Sequence, residues 1–304
     1  MSQDQKSNNE NTEDKNIIKE EVNLQFHWYL GSFFVVYFSS LLIPAIILML
    51  YVMYFYLPYF LENNNLISIF TNLEPLLASI FMPFIIIICY LIHILIAGII
   101  TKWFWSITEK KSPSKDGIIP RNIPSKTLNY YHIRSFMIKY PKNAVIRGPF
   151  PWLINWLYNF IGSNKIGKGT TLEENVGADR FIEIGDNCYF GVNGAFSSHA
   201  VEGIFGNISY FKVKIGNNVT TSAFNCIGPG NVINDNSWFL PMTGATKFNL
   251  LKGNDYYFGA PLRRIFKKRL MEYLKVSEAD LEKANELKTK TIEQISKEGG
   301  ISND

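Results

Sequence analysis

Two stretches of the chain show no polar face at all. Phe33 to Leu57 is an uncharged run of 25 residues, and Leu76 to Ile100 is a second of the same length. At about 1.5 Å of rise per residue, each exceeds the roughly 20 residues needed to cross a hydrocarbon core. A helix this long buried in a globular core normally keeps one polar side, and neither run has one. Pro44 and Pro83 fall inside the runs, where a neighbouring helix can satisfy the freed backbone. The pattern predicts a two-helix transmembrane hairpin within residues 23–105.

The second half of the chain follows another period. A core-type residue recurs every six positions at Ile166, Leu172, Ala178, Ile184, Phe190 and Phe196. After a break it resumes at Ile215, Thr221, Ile227, Ile233 and Phe239. The next position is often Gly or an acid, as at Gly167, Gly185, Gly191, Gly216 and Gly228. A six-residue period with small residues at fixed offsets predicts a triangular parallel coil, with Gly or Asn at corners where φ is awkward. One hexad is a weak signal; eleven in two unbroken phases are a strong one.

Between these parts, Pro113, Pro120, Pro124, Pro141, Pro149 and Pro151 break the chain into short pieces. Trp152, Leu153, Trp156, Leu157 and Phe160 fall at helical spacing. They predict a short aromatic helix that either covers the first coil or lies on the membrane surface. A solenoid must cover its end, which favours the first role. The division expected is a disordered, solvated tail (1–22), the hairpin (23–105), a linker (106–161), the coil (162–261) and a helical C-terminal tail (262–304).

Charge adds orientation. Between Val22 and Thr101 the only formal charges are Glu62 and Glu74, both within the connection between the two runs, Pro58 to Pro75. Lys102, Lys110, Lys111, Lys115 and Arg121 follow the second run, and Lys15 and Lys19 precede the first. The positive-inside tendency places both termini and the coil in the cytoplasm. The net charge of +4 is mild. Membrane lipids are the expected partners, and nucleic acid is not. Cys89, Cys188 and Cys226 form no CxxC, so neither a disulfide framework nor a zinc site is expected. His93, inside the second run, is a functional candidate or a neutral side chain bonded to a neighbouring helix.

Several motifs carry a family likeness: Gly148-Pro149-Phe150-Pro151-Trp152, Ile184-Gly185-Asp186, Ser198-His199-Ala200-Val201-Glu202-Gly203, Val213-Lys214-Ile215-Gly216 and Tyr257-Phe258-Gly259-Ala260-Pro261. With them the chain resembles the hexapeptide-repeat acyltransferase superfamily. A closer resemblance is to the membrane and β-helix region at the C-terminus of poly-lysine-synthetase-type peptide synthetases. Ile233-Asn234-Asp235 departs from the usual Ile-Gly-Asp. The resemblance implies a left-handed parallel β-helix, a homotrimer, and acetyl-CoA or another acyl-CoA as co-substrate with no metal.

The break from Ser197 to Lys214 holds His199, the only histidine of the coil region. In the superfamily, a loop ejected at such a corner often carries a catalytic histidine. Acyl transfer needs a base to take the acceptor's proton, and imidazole suits that task near neutral pH. Glu202, three residues on, could hold the second ring nitrogen. Alternatively, both are ordinary polar loop residues. After the closing Gly-x-Pro, a basic cluster (Arg263, Arg264, Lys267, Lys268) is expected on a helix. It could meet coenzyme phosphates, anionic headgroups or only water. Ser277-Glu278-Ala279-Asp280 reads as a capping box for a last helix. Three functions follow: a membrane-anchored acyltransferase acting on an amine or hydroxyl, a non-catalytic trimeric scaffold for a membrane synthetase, and a carrier or channel-like ring of helices.

Overall fold

The computed structural model describes residues 26–265, apart from 64–66, 122, 174–175, 178–179 and 203–205, and a few positions between 271 and 286. The tail 1–22, Ala178, Lys267, Lys268, Asp280 and most of the C-terminal helical region therefore lie outside the described residues.

The hairpin consists of α1 (Phe26–Phe55) and the 39-residue α4 (Leu73–Lys111), joined through α2 (Leu57–Asn63) and α3 (Ser68–Thr71). Both long helices are long and apolar enough to cross a membrane. They meet along a stripe of modest side chains. Ser32, Val36, Ser40 and Pro44 are buried at four-residue intervals on α1, and Cys89, His93, Ala97 and Thr101 on α4. Small residues at that spacing let helix axes approach where no hydrophobic force separates them from lipid. Tyr51 and Tyr56 reinforce the far end, donating to Ala78 O at 2.6 Å and meeting Ser79 Oγ at 3.0 Å. Phe34, Phe38, Leu42, Phe81, Phe84 and Ile88 point outward and exposed, unlike the side chains of a soluble protein's core helix.

Past the hairpin come β1 (Gly117–Pro120), α5 (Lys126–Met137), α6 (Lys139–Ile146), a 3₁₀ turn at Pro151–Leu153 and α7 (Ile154–Ile161). Ser125 caps α5 by accepting from Leu128 N at 3.1 Å. Gly162, at φ +81°, ends α7 in the left-handed conformation.

The coil has three parallel sheets. The first contains β2 (Lys165–Ile166), β5 (Ile182–Ile184), β10 (Val213–Ile215), β13 (Val232–Ile233) and β16 (Leu250–Leu251). The second contains β3 (Thr171–Leu172), β6 (Tyr189–Phe190), β11 (Thr220–Thr221), β14 (Ser237–Phe239) and β17 (Asp255–Phe258). The third contains β4 (Val176–Gly177), β7 (Ala195–Phe196), β12 (Cys226–Ile227) and β15 (Gly244–Ala245). Register follows the hexads: Ile166, Ile184, Ile215, Ile233 and Leu251 stack in one column, and Leu172, Phe190, Thr221, Phe239 and Tyr257 in the next. The repeat thus runs on past Phe239 through Ala245, Leu251 and Tyr257, all buried. In the third sheet Gly177 stands opposite Phe196, one position ahead of the expected Ala178.

Two columns explain the residues beside the core. A Cβ on Gly185 would lie 2.7 Å from the carbonyl carbon of Gly216, so that position needs Gly for close approach and not for φ. The acid or amide that follows closes the rung below. Asp186 Oδ1 accepts from Lys168 N, Asn217 Oδ1 from Asp186 N and Asp235 Oδ1 from Asn217 N, at 2.7–2.8 Å. The awkward φ belongs to Asn187, Asn218, Asn236 and Asn254, at 53–57°, which form the corner between the first and second sheets.

Two expectations need correction. The break is not an irregular loop: β8 (His199–Glu202) and β9 (Asn207–Tyr210) pair antiparallel, and β1 from the linker adds beside β9. Arg263 and Arg264 do not open a helix. They form β18 (Arg263–Arg264), antiparallel to β17, because the last edge of the second sheet offers unpaired backbone groups to the returning chain.

Ile227 has no exposed surface, whereas Val201 is 53% exposed. Ile227→Ala is expected to lower unfolding free energy by about 2–5 kcal/mol, and Val201→Ala to leave it nearly unchanged. Denaturant unfolding in detergent, followed by circular dichroism, checks both.

Candidate active site

His199 opens β8, directly after the third-sheet strand β7, and strand pairing sets it opposite Tyr210. Its Nδ1 lies 3.1 Å from Ser197 Oγ and 3.4 Å from Arg180 Nη2, and its ring meets the Tyr131 ring edge-on at 5.9 Å. Ser197 Oγ also donates to His199 O at 2.6 Å and accepts from His199 N at 3.2 Å. A hydroxyl has one hydrogen and two lone pairs. With its hydrogen given to the carbonyl, Ser197 accepts from Nδ1–H, and Nε2 then carries the lone pair. Arg180 can only donate, so it favours the opposite tautomer, from the longer distance.

Glu202 is placed elsewhere. Side chains three apart on a strand point to opposite faces. The Glu202 carboxylate pairs with Lys247 and accepts from Ser209 Oγ at 2.9 Å. Ser197, two residues before the histidine, holds the ring nitrogen that Glu202 was expected to hold.

Behind His199 lies a polar joint built from distant segments. Arg180, 2% exposed, donates to Tyr131 Oη at 2.9 Å and stacks 4.8 Å over that ring. Tyr131 packs edge-on to Tyr210. Arg134, 3% exposed, pairs with Glu109 at 3.1 Å and donates to Ser112 O at 2.7 Å. Burial lowers the Arg134 pKa, and Glu109 opposes that shift. Burial raises the pKa of Tyr210. Beside the joint is a cavity of about 230 Å³, lined among others by Trp105, Glu109, Ser163, Asn164, Phe181 and Lys212. Lys212 donates to Glu183 at 2.9 Å and holds that carboxyl below its usual range.

Of the basic cluster, Arg264 is bound to Asp255 at 2.7 Å and Arg263 is exposed. His93 Nε2 bonds Tyr140 Oη of α6 at 2.8 Å. The joint gave no signal in the sequence, since Arg180 and Tyr131 are 49 positions apart and neither falls in a motif.

No protein-family model and no curated relative matches the chain. Solved hexapeptide-repeat acetyltransferases are similar to it. A maltose O-acetyltransferase from Clostridium difficile shares 25% identity over 35% of this chain, with a TM-score of 0.31. A hexapeptide-repeat acetyltransferase from Vibrio cholerae, complexed with acetyl coenzyme A, shares 14% over 41% of this chain and 81% of its own, with a TM-score of 0.34. A galactoside acetyltransferase in complex with coenzyme A shares 23% over 35% of this chain and 56% of its own, with a TM-score of 0.26. The chain spans 59% of the length of the maltose enzyme.

His132, next to the joint, stacks on Phe136 at 5.7 Å. Burial, with Arg180, Arg121 and Lys139 nearby, lowers its pKa to about 4. The unfolded chain protonates this histidine near 6.5, before the folded one does. Its contribution to stability is therefore complete above pH 6.5 and is lost as pH falls toward 4. Melting temperatures in detergent at pH 7 and pH 5 should differ less for His132→Phe than for the wild type.

Proposed function

We propose that the chain is a membrane-anchored acyltransferase that moves an acetyl or other acyl group from acyl-CoA to an amine or hydroxyl close to the cytoplasmic leaflet. In this reading α1 and α4 cross the bilayer, both termini are cytoplasmic, and the parallel coil is left-handed. The observation that carries it is His199 on a hairpin ejected from a hexapeptide coil, with Nδ1–H able to donate a hydrogen bond to Ser197. The similarity of superfamily motifs supports the same chemistry, and the solved enzymes named above are acetyltransferases. The acceptor attacks the thioester carbonyl and Nε2 takes its proton; the C–S bond then breaks, and Nε2 passes that proton to the departing sulfur, which leaves as the coenzyme thiol.

One observation favours a second reading. His199 is half-buried against Tyr131 and Arg180, in a joint that holds the hairpin to α5. A purely structural histidine in a scaffold protein would sit the same way. Isothermal titration with CoA, together with acyl-transfer assays, separates the two. The enzyme reading expects CoA binding, retained in His199→Ala while turnover falls roughly 10²–10⁴-fold. Ser197→Ala is expected to cost less and to alter the pH profile. Absence of CoA binding at any pH, with His199→Ala behaving as wild type in cells, would leave the scaffold.

The assembly we propose is a homotrimer. Phe224 and Met242 occupy the corner between the second and third sheets, 61% and 72% exposed, at φ of 59°. Bulky apolar side chains in the left-handed region cost conformational energy, and a neighbouring coil that buries them offsets it. Native mass spectrometry in detergent should give a trimer for the wild type and smaller species for Phe224→Asp/Met242→Asp. A wild-type monomer at all concentrations would refute it.

A further inference from the structure

We propose that Phe150, Trp152 and Trp156 form an aromatic ledge within the lipid leaflet on the coil's side, so that the coil rests directly on the bilayer. This rests on the membrane crossing proposed for α1 and α4.

Depth can be counted along α4. Its uncharged stretch lies between Glu74 and Lys102. A hydrocarbon core of about 30 Å takes about 20 residues. Even when pushed fully toward Glu74, its near boundary falls around Leu95. Tyr90 and His93 are inside that boundary, and α6 touches both. Tyr90 Oη donates to Ala144 O at 3.1 Å, and His93 Nε2 meets Tyr140 Oη at 2.8 Å. The first helix gives the same level, since the Tyr140 ring packs on Phe33 and Tyr37 at 5.7 and 5.2 Å. Gly148 is packed so closely on Tyr90 that a Cβ there would collide with the phenol oxygen. Two turns further along α4, Gly98 faces Leu157 and Phe160 of α7.

The residues between α6 and α7 therefore share the depth of the inner third of the span. Their outward side chains match that setting. Phe150 lies 6.0 Å from the Tyr90 ring and 5.3 Å from Trp152. Trp152 is 68% exposed and Trp156 39%, with Trp156 stacked on Phe160 and Lys102 4.3 Å over that ring. Indole rings favour the zone where hydrocarbon gives way to headgroups. Arg147, exposed on the same segment, can extend toward headgroup phosphates.

The test uses the full chain with Cys226→Ser, reconstituted in phosphatidylcholine–phosphatidylglycerol vesicles. A nitroxide is placed in turn at Trp152→Cys, Phe84→Cys and Val201→Cys. Collision with oxygen, which partitions into lipid, is compared with collision with a water-soluble nickel chelate. The expected result is a lipid-like ratio at 152 and 84 and a water-like ratio at 201. A water-like ratio at 152 with a lipid-like one at 84 overturns the ledge and spares the membrane crossing. Water-like ratios at both overturn the crossing and the ledge with it. Should Trp152→Cys fail to fold, quenching of the native tryptophans by brominated lipid serves instead. It should drop when Trp152→Phe and Trp156→Phe are combined, and unchanged quenching would reject the ledge.

Discussion

Asn159 treats the lowest strand of the coil as a neighbouring strand would. Its Nδ2 donates to Ile166 O and its Oδ1 accepts from Ile166 N, both at 2.9 Å. Asn155 Nδ2 donates to Thr170 O at 2.5 Å on the same open edge. Buried backbone groups left without partners would cost about as much as lost hydrogen bonds. The apolar side of α7, through Leu157, Tyr158 and Ile161, closes the end of the core that Ile166 and Ile184 begin. Leu157 also faces Gly98 of α4. A single eight-residue helix thus terminates the solenoid and attaches it to the hairpin.

A second attachment sits higher and is polar. Arg134 and Glu109 tie α5 to the end of α4, while Tyr131, Arg180 and Tyr210 tie α5 to the coil and its inserted hairpin. Two nearly buried arginines make this joint intolerant of losing one partner, because the charge left behind stays desolvated. His199 belongs to that joint as much as to any reaction. Its orientation depends on segments that also fix where the coil stands relative to the hairpin.

Much of the coil was legible because stacking forces a local period on the sequence. Ile184, Phe190, Ile215 and Ile227 read as core and are buried. The eleven hexads stopped at Phe239, and Ala245, Leu251 and Tyr257 continue their columns to the expected end of the coil near residue 261. The roles of neighbours were harder to read. Gly at the position after the core residue looks like a corner from sequence, but the next rung's backbone is what excludes a side chain there. The hairpin's small-residue stripe was present in the sequence but hidden in runs that look uniformly apolar. The candidate site was legible only at His199. Ser197 lay in plain view beside it, whereas Arg180 and Tyr131 meet through contacts that no local pattern encodes.

The order of the chain gives α7 a further significance. Among the described residues, each coil pairs with the one before it and the one after it, apart from the hairpin that β1 joins. Such a stack grows from whichever end is already templated. During synthesis the hairpin and α7 emerge first, so the earliest finished edge is the one beside the hairpin, and later rungs add outward. A ribosome pausing within the coil would expose one growing edge, always the distal one, as the site where a wrong strand could add.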